Sequence, residues 1–174
     1  MRRVRYVVAM SLDGYIAGPN GEADWIIMDP DIDFGALFDQ FDTFLMGRRT
    51  FEGMAGGGAR SGVKTIVFSR TLRQQDYPNL SIVSESPERA LTDLRAKPGK
   101  DIWLFGGGSL FRSLLEARQV DAVEVSVIPV LLGEGISLLP PNPSSERFKL
   151  KLTSSRTFKT GIVSLEYAVQ YEPA

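Results

Sequence analysis

The chain has 174 residues, the size of one domain, and its 43% apolar and 24% charged residues support a packed core. Its 20 lysines and arginines stand against 21 aspartates and glutamates, a formal net charge of −1 that argues against a general binder of nucleic acid or of anionic membrane surfaces. Cys and His are both absent, which removes disulfides, thiolate nucleophiles, imidazole bases and the usual zinc ligands, so no metal is expected.

The amino terminus, Met1-Arg2-Arg3-Val4-Arg5, is charged, but the apolar run 6–10 behind it is too short for a signal region. No stretch approaches the roughly 18 apolar residues of a membrane span, so the cytoplasm is the expected compartment. Residues 4–11 read as a buried strand closed by the turn dipeptide Asp13-Gly14. A loop through Gly18-Pro19-Asn20-Gly21 leads to Asp24-Trp25. Asp29-Pro30 has the form of an N-cap and N1 pair, and Phe34, Leu37, Phe38 and Phe41 recur after it at helical spacing. Strands are expected over 43–46, closed by Gly47, and over 64–68 and 80–83, with a glycine-rich loop at 53–62.

Ser86-Pro87 opens a helix with Ala90, Leu91 and Leu94 inward, stopped by Lys97-Pro98-Gly99. A strand at 101–105, a tight turn at Gly106-Gly107-Gly108 and a helix at 109–117 follow. A long strand over 122–132, broken by Pro129, precedes an antiparallel hairpin of 148–158 and 162–171 around Lys159-Thr160-Gly161. The pattern predicts one α/β domain over 1–174, with a mixed, mostly parallel sheet covered on both faces and an antiparallel edge.

Three strand ends carry chemistry suited to an anion. Gly106-Gly107-Gly108-Ser109-Leu110-Phe111 takes a buried strand into a helix, where glycines let a pyrophosphate approach the backbone and free N–H groups attract it. The dinucleotide fingerprint is incomplete, because Phe111 stands at its third glycine. Gly47-Arg48-Arg49-Thr50 and Ser69-Arg70 also follow strands directly. Parallel strands bring their carboxyl ends to one edge, the ligand edge of open α/β folds. The arginines favour a 2′-phosphate, and so NADPH over NADH. Residues 57–65 nearly spell a P-loop, but Val63 separates Gly62 from Lys64 and a strand follows, so no phosphate cradle is expected there.

For proton transfer, Asp31 leads, three residues before Phe34; crowding of Asp29, Asp31 and Asp33 at a helix amino terminus explains it equally well. Glu52, inside the helix after Gly47, and Asp24 are rivals, and Trp25 is suited either to cover a ligand ring or to anchor its loop.

In order along the chain, Ser11-Leu12-Asp13-Gly14, Asp24-Trp25, Met46-Gly47-Arg48-Arg49-Thr50-Phe51-Glu52, Phe68-Ser69-Arg70, Gly106-Gly107-Gly108 and Pro129-Val130-Leu131-Leu132-Gly133-Glu134-Gly135 resemble dihydrofolate reductase-like proteins. More closely, they resemble stand-alone relatives of the C-terminal reductase domain of the riboflavin-biosynthesis deaminase–reductase. The resemblance implies a three-layer αβα fold, NADPH as cofactor, and hydride transfer to a pterin, folate or aminopyrimidine-like ring. It implies that Ala9 and Ile16 flank the nicotinamide, that Gly47, Arg48, Arg49 and Thr50 meet the adenosine-side phosphates, that Ser69 and Arg70 meet the 2′-phosphate, and that 106–111 meet the pyrophosphate. A homodimer is implied as well. The chain differs in offering three aspartates where dihydrofolate reductases place one acid, and Glu52-Gly53 where the riboflavin-pathway reductases carry Asp-Asp-Pro.

Two other readings of the residues stand beside the reductase. One is a non-catalytic NADP-binding module that keeps the pocket without turnover. The other, weaker for want of a metal cluster or P-loop, is a nucleotide transferase.

Overall fold

The computed structural model describes residues 1–54, 60–142 and 147–172, and within them strands and short helices alternate until a closing hairpin. The first strand, β1 (Val4–Ser11), is followed by β2 (Tyr15–Ala17), α1 (Phe34–Phe38), β3 (Phe41–Gly47) and α2 (Arg48–Gly53). Next come β4 (Lys64–Phe68), β5 (Ser81–Val83), α3 (Pro87–Arg95), β6 (Asp101–Gly106) and α4 (Gly108–Glu116). The chain ends with β7 (Ala122–Ile128), β8 (Ile136–Ser137), β9 (Lys149–Thr157) and β10 (Val163–Gln170).

Eight strands form one sheet in the order β5-β4-β3-β6-β1-β7-β10-β9, and β2 pairs with β8 apart from it. The six strands from β5 to β7 are parallel, and β10 runs antiparallel to both β7 and β9. This is the mixed, mostly parallel sheet with an antiparallel edge that the sequence predicts. One face is closed by α3 and α4, which drive Leu91, Leu94, Leu110, Phe111, Leu114 and Leu115 onto Val4, Tyr6 and Leu104. The other face is closed in part by α1 and α2, through Leu37, Phe38 and Phe51 over Phe44, Met46 and Trp103. Three layers result.

Three sequence expectations are corrected. Asp29-Pro30 does not cap α1; Asp33 does, its carboxylate accepting the Ala36 N–H at 2.9 Å, and the helix is only five residues long. Phe41 belongs to β3 rather than to the helix, since its spacing fits either element and burial in a parallel strand wins. The strand expected over 122–132 stops at Ile128: Pro129 has no N–H for the ladder, and Val130 folds back onto the Ile128 carbonyl. Part of the near-P-loop at 57–65 lies outside the described residues.

At the amino-terminal end of the strands a buried ion pair fixes how β1 meets β7. Arg5 Nε and Nη2 donate to the two carboxylate oxygens of Glu124 at 2.6 and 2.8 Å, Nη1 donates to Gln40 at 2.7 Å, and the guanidinium lies 4.6 Å from the Phe41 ring centroid. Burial disfavours the charged guanidinium, and Glu124 and Asp101 more than offset it, leaving the Arg5 pKa raised. Removing one partner strands the other charge. Arg5→Met is therefore expected to lower the unfolding free energy by about 3 kcal/mol in urea denaturation, and the double variant Arg5→Met with Glu124→Leu to recover most of that loss.

Candidate functional site

The parallel register brings the three predicted strand ends to one edge. Within it Met46 lies opposite Gly106 on β6, and Gly47 lies opposite Phe68 on β4. Gly47 is the N-cap of α2 and Gly107 the N-cap of α4, and neither cap has a side chain to satisfy the first-turn N–H groups. The two turns touch. A Cβ placed on Gly47 would stand 3.8 Å from the Gly106 carbonyl oxygen, and one on Gly107 would stand 3.4 Å from Thr50 Oγ1. Gly106 takes the left-handed φ of 110° that glycine tolerates, and the peptide joining it to Gly107 is cis. Gly108 is packed tightest, with any Cβ 2.6 Å from the Ser137 carbonyl oxygen and 2.8 Å from Pro140.

Positive charge surrounds this glycine corner unevenly. Arg48 is held by Glu52 at 3.0 Å, a half-exposed pair one helical turn apart, so Glu52 acts first as the Arg48 partner. Arg49 and Arg70 are exposed and form no ion pair with a described residue. The buried Ser69 hydroxyl accepts the N–H groups of Thr71 and Leu72 at 3.1 and 3.0 Å, so it shapes the turn that carries Arg70. Ser109 is exposed, while the side chains of Leu110 and Phe111 enter the core. The Phe111 ring stacks on Tyr6 at 4.0 Å and its N–H is bonded to the Gly107 carbonyl; Gly106 and Gly108 are buried, so Gly107 and Ser109 are the parts of this turn that reach the surface.

The second half of the candidate site is the α1 face of the sheet beyond that corner. Ala9 stands there half-buried on β1, and Ile16 is half-buried on β2. Asp13 ties the two segments around them, because its carboxylate accepts the Ser11 hydroxyl at 2.6 Å and the N–H groups of Leu132 and Gly133 at 3.1 and 2.7 Å. Those bonds, the Ser11 hydroxyl foremost, hold its pKa below the usual carboxylate range. The motifs at 11–14 and 129–135, far apart in sequence, are thus one clamp.

Among the acids considered from sequence, Asp24 and Asp31 are exposed, and the Trp25 indole N–H is spent on the Glu22 carbonyl at 3.0 Å. Asp31 lies outside α1, so the crowding of three acids at a helix terminus reduces to Asp33 alone. Asp29 is the buried one, 2% exposed. Its Oδ2 accepts the Thr160 hydroxyl at 2.7 Å and the Thr160 N–H at 3.2 Å, and its Oδ1 accepts the Asp31 N–H at 2.9 Å. Arg156 on β9 adds a bond to the Asp31 carbonyl oxygen at 3.4 Å. The 24–33 loop is therefore fastened to the β9–β10 turn, a link with no local sequence signal because the partners are 131 residues apart. The face beneath that turn also holds Ser126 and Ser164, whose pairing follows from the hairpin register.

Among the described residues there is no group of three or more Asp or Glu side chains placed to hold a metal ion, and no helix is long and apolar enough to cross a membrane. A surface depression of about 410 Å³ is lined by Met1, Arg2, Arg95, Lys97 and Asp101 at the amino-terminal end of the strands. It is wide open and shares no residue with the strand-end corner, so the local chemistry, not the volume, identifies the site.

Residues 2–164 match the family model of the RibD C-terminal domain. The uncharacterized protein YyaP of Bacillus subtilis (strain 168) is 36% identical, over 95% of this chain and 94% of its own length. Among solved structures, a Shewanella sp. PV-4 protein named for riboflavin biosynthesis superimposes with a TM-score of 0.81 at 24% identity, covering 98% of this chain and all of its own. Dihydrofolate reductase from Enterococcus faecalis, solved with NADP(H), superimposes with a TM-score of 0.67 at 19% identity, covering 96% and 94%. These two likenesses show the dihydrofolate reductase-like fold.

The Asp29 tie generates a pH prediction. The bonds from Thr160 chiefly lower its folded-state pKa, so its contribution to stability is complete above the unfolded value of about 3.9 and is lost as the pH falls through the depressed value. Asp29→Asn is expected to unfold several degrees lower than the wild type at pH 7. The gap should close as both proteins are acidified below about pH 4, as read by thermal melts followed by tryptophan fluorescence. An undiminished gap at low pH would show that the charge is not what holds the turn.

Proposed function

The chain belongs to the RibD C-terminal domain family, and from that premise we propose that it is an NADPH-dependent reductase of a small nitrogen heterocycle, of pterin, folate or aminopyrimidine type. The observation that carries this reading is the contact between two glycine-capped helix starts, Gly47 and Gly107, at neighbouring strand ends with Arg48, Arg49 and Arg70 around them. The corner fits the cofactor. A Cβ at Gly107 would fill the gap to Thr50, the space a pyrophosphate needs to reach backbone N–H groups, and unpaired guanidinium groups suit a 2′-phosphate.

In this reading the Gly106–Ser109 backbone holds the pyrophosphate, Gly47, Arg48, Arg49 and Thr50 hold the adenosine-side phosphates, and Ser69 orients Arg70 toward the 2′-phosphate. Ala9 and Ile16 form the wall against the nicotinamide. Bound NADPH supplies a hydride, and an accompanying proton completes reduction of one double bond of the substrate. The protein's own part is to position the two rings and exclude water, with Asp31 or an ordered water giving the proton. The exposed hydrophobic side chains of Leu150 and Leu152 on edge strand β9 support a homodimer in the same reading.

The test is a pair of fluorescence titrations with NADPH and NADH. Wild type is expected to prefer NADPH. Arg70→Ala should erase roughly tenfold of that preference, the loss of one charge-assisted hydrogen bond, whereas Arg48→Ala should weaken both nucleotides. Gly107 has φ −80°, which alanine adopts freely, so Gly107→Ala should fold while weakening both nucleotides by about tenfold or more. Asp31→Asn then separates the readings: lost NADPH oxidation supports the reductase, whereas cofactor binding without turnover in the wild type supports the non-catalytic module. Equal, weak affinity for both nucleotides would overturn the assignment.

A further inference from the structure

Two tyrosines pack into the core on the α3–α4 side, and their hydroxyls are treated differently. The half-buried Tyr171 donates to the Val120 carbonyl at 2.8 Å and accepts the Val120 N–H at 3.3 Å. The Tyr6 hydroxyl has no partner among the described residues, although Tyr6 is 0% exposed. Burial pushes its pKa up, so the group stays an O–H donor. Val4 and Val8 share its face of β1, so packing there asks only for an apolar side chain. Phenylalanine would supply the same ring, and a buried hydroxyl without a partner costs stability. Such a group calls for a use outside packing.

The hydroxyl is aimed at the glycine corner. A Cβ placed on Gly106 would stand 3.4 Å from Tyr6 Cε2 and 3.6 Å from its hydroxyl oxygen, so the phenol end lies against the inner side of the turn that opens α4. Phe111, in the first turn of that helix, stacks on the ring at 4.0 Å with the two planes 18° apart, which holds the phenol in place. On the outer side of the turn, the first N–H groups of α4 have no side-chain cap, and Gly107 and Ser109 reach the surface. The helix is nine residues long, so its start carries partial positive charge. Free N–H groups outside and a partnerless O–H inside thus flank one layer of backbone. The core around the O–H is apolar, and its dipole is weakly screened there.

We propose that Tyr6 is a positioning residue for an anion at the Gly106–Ser109 turn, its O–H turning its hydrogen toward a pyrophosphate group held on the outer side and supporting that group through the backbone without touching it. The proposal rests on the reductase reading for the cofactor that brings the pyrophosphate, and on the glycine corner alone for the anion. With the corner empty, the hydroxyl hydrogen has no acceptor and is free to rotate about the C–O bond. The negative charge of a pyrophosphate selects one orientation, and the attraction is gained without moving the ring. The cost of burying the hydroxyl falls on the empty protein, and the gain falls on the liganded one. Deleting the hydroxyl therefore moves stability and anion affinity in opposite directions, which the loss of a side chain that only fills the core does not do.

The experiment compares the full chain with its Tyr6→Phe variant, by thermal melts without ligand and by isothermal calorimetry. The probes are NADPH, inorganic pyrophosphate, and adenosine 2′-monophosphate, which lacks the 5′-phosphates. Tyr6→Phe is expected to melt about 2–4 °C above wild type. It should bind NADPH and inorganic pyrophosphate roughly three- to tenfold more weakly, with its affinity for adenosine 2′-monophosphate unchanged. Unchanged NADPH and pyrophosphate affinity overturns the role of Tyr6, as does equal weakening of all three probes. A lower melting temperature also overturns it, because the hydroxyl would then serve the core. If NADPH binds to neither protein while Tyr6→Phe weakens pyrophosphate, the reductase reading falls and the role of Tyr6 stands. Wild type that binds neither NADPH nor pyrophosphate overturns both.

Discussion

Two neighbouring parallel strands, β3 and β6, end at the same height, and each hands its chain directly to a helix through glycine. That shared ending is the constraint on which the ligand edge depends. Backbone N–H groups at both helix starts lack side-chain acceptors, and their contact concentrates the partial positive charge of each start in one corner. The corner exists only because no side chain separates Gly47 from the Gly106–Gly107 peptide, and because Gly108 lets the Ser137 and Pro140 segment seat α4 without a gap. A one-residue slip of β6 against β3 would set the two turns at different heights and disperse the corner.

The two faces of the sheet solve different problems. On the α3–α4 side the core is almost wholly apolar, and it holds even the Tyr6 hydroxyl without a described partner, burial raising its pKa. On the α1 side polar groups are admitted in bands: the Arg5–Glu124 network at the amino-terminal end, and the Ser126–Ser164 pair nearer the carboxyl end. The first band is internally neutralised and specifies how strands meet.

Much of this was legible in the chain itself. The six parallel strands and the hairpin were readable because each is a β-branched or apolar tract bounded by Gly, Pro or Asp, and the meeting of the strand ends at one edge followed from their parallel direction. The unread parts share a physical cause, distance along the chain. The short pair β2 and β8 forms across more than a hundred residues, with no periodicity in two or three residues to reveal it. Asp29 looked like a helix cap because its partner, Thr160, is remote, and Phe41 fell on a helical spacing by coincidence with the start of a strand. Arg156 was within reach, since centring the hairpin on 159–161 already sets it opposite Ser164. What composition could not show is which arginines are paired with acids: Arg2, Arg5, Arg48, Arg95 and Arg112 are, whereas Arg49, Arg70 and Arg156 form no ion pair with a described residue.

Asp29 and Asp13 each stitch a loop beside the site to a strand end contributed by a distant part of the chain. Rims bound in this way belong to the same cooperative unit as the sheet, and they do not swing as independent flaps. Leu12 and Leu131, 64% and 70% exposed beside the Asp13 stitch, are thus free to turn as side chains while the backbone that carries them stays with the sheet.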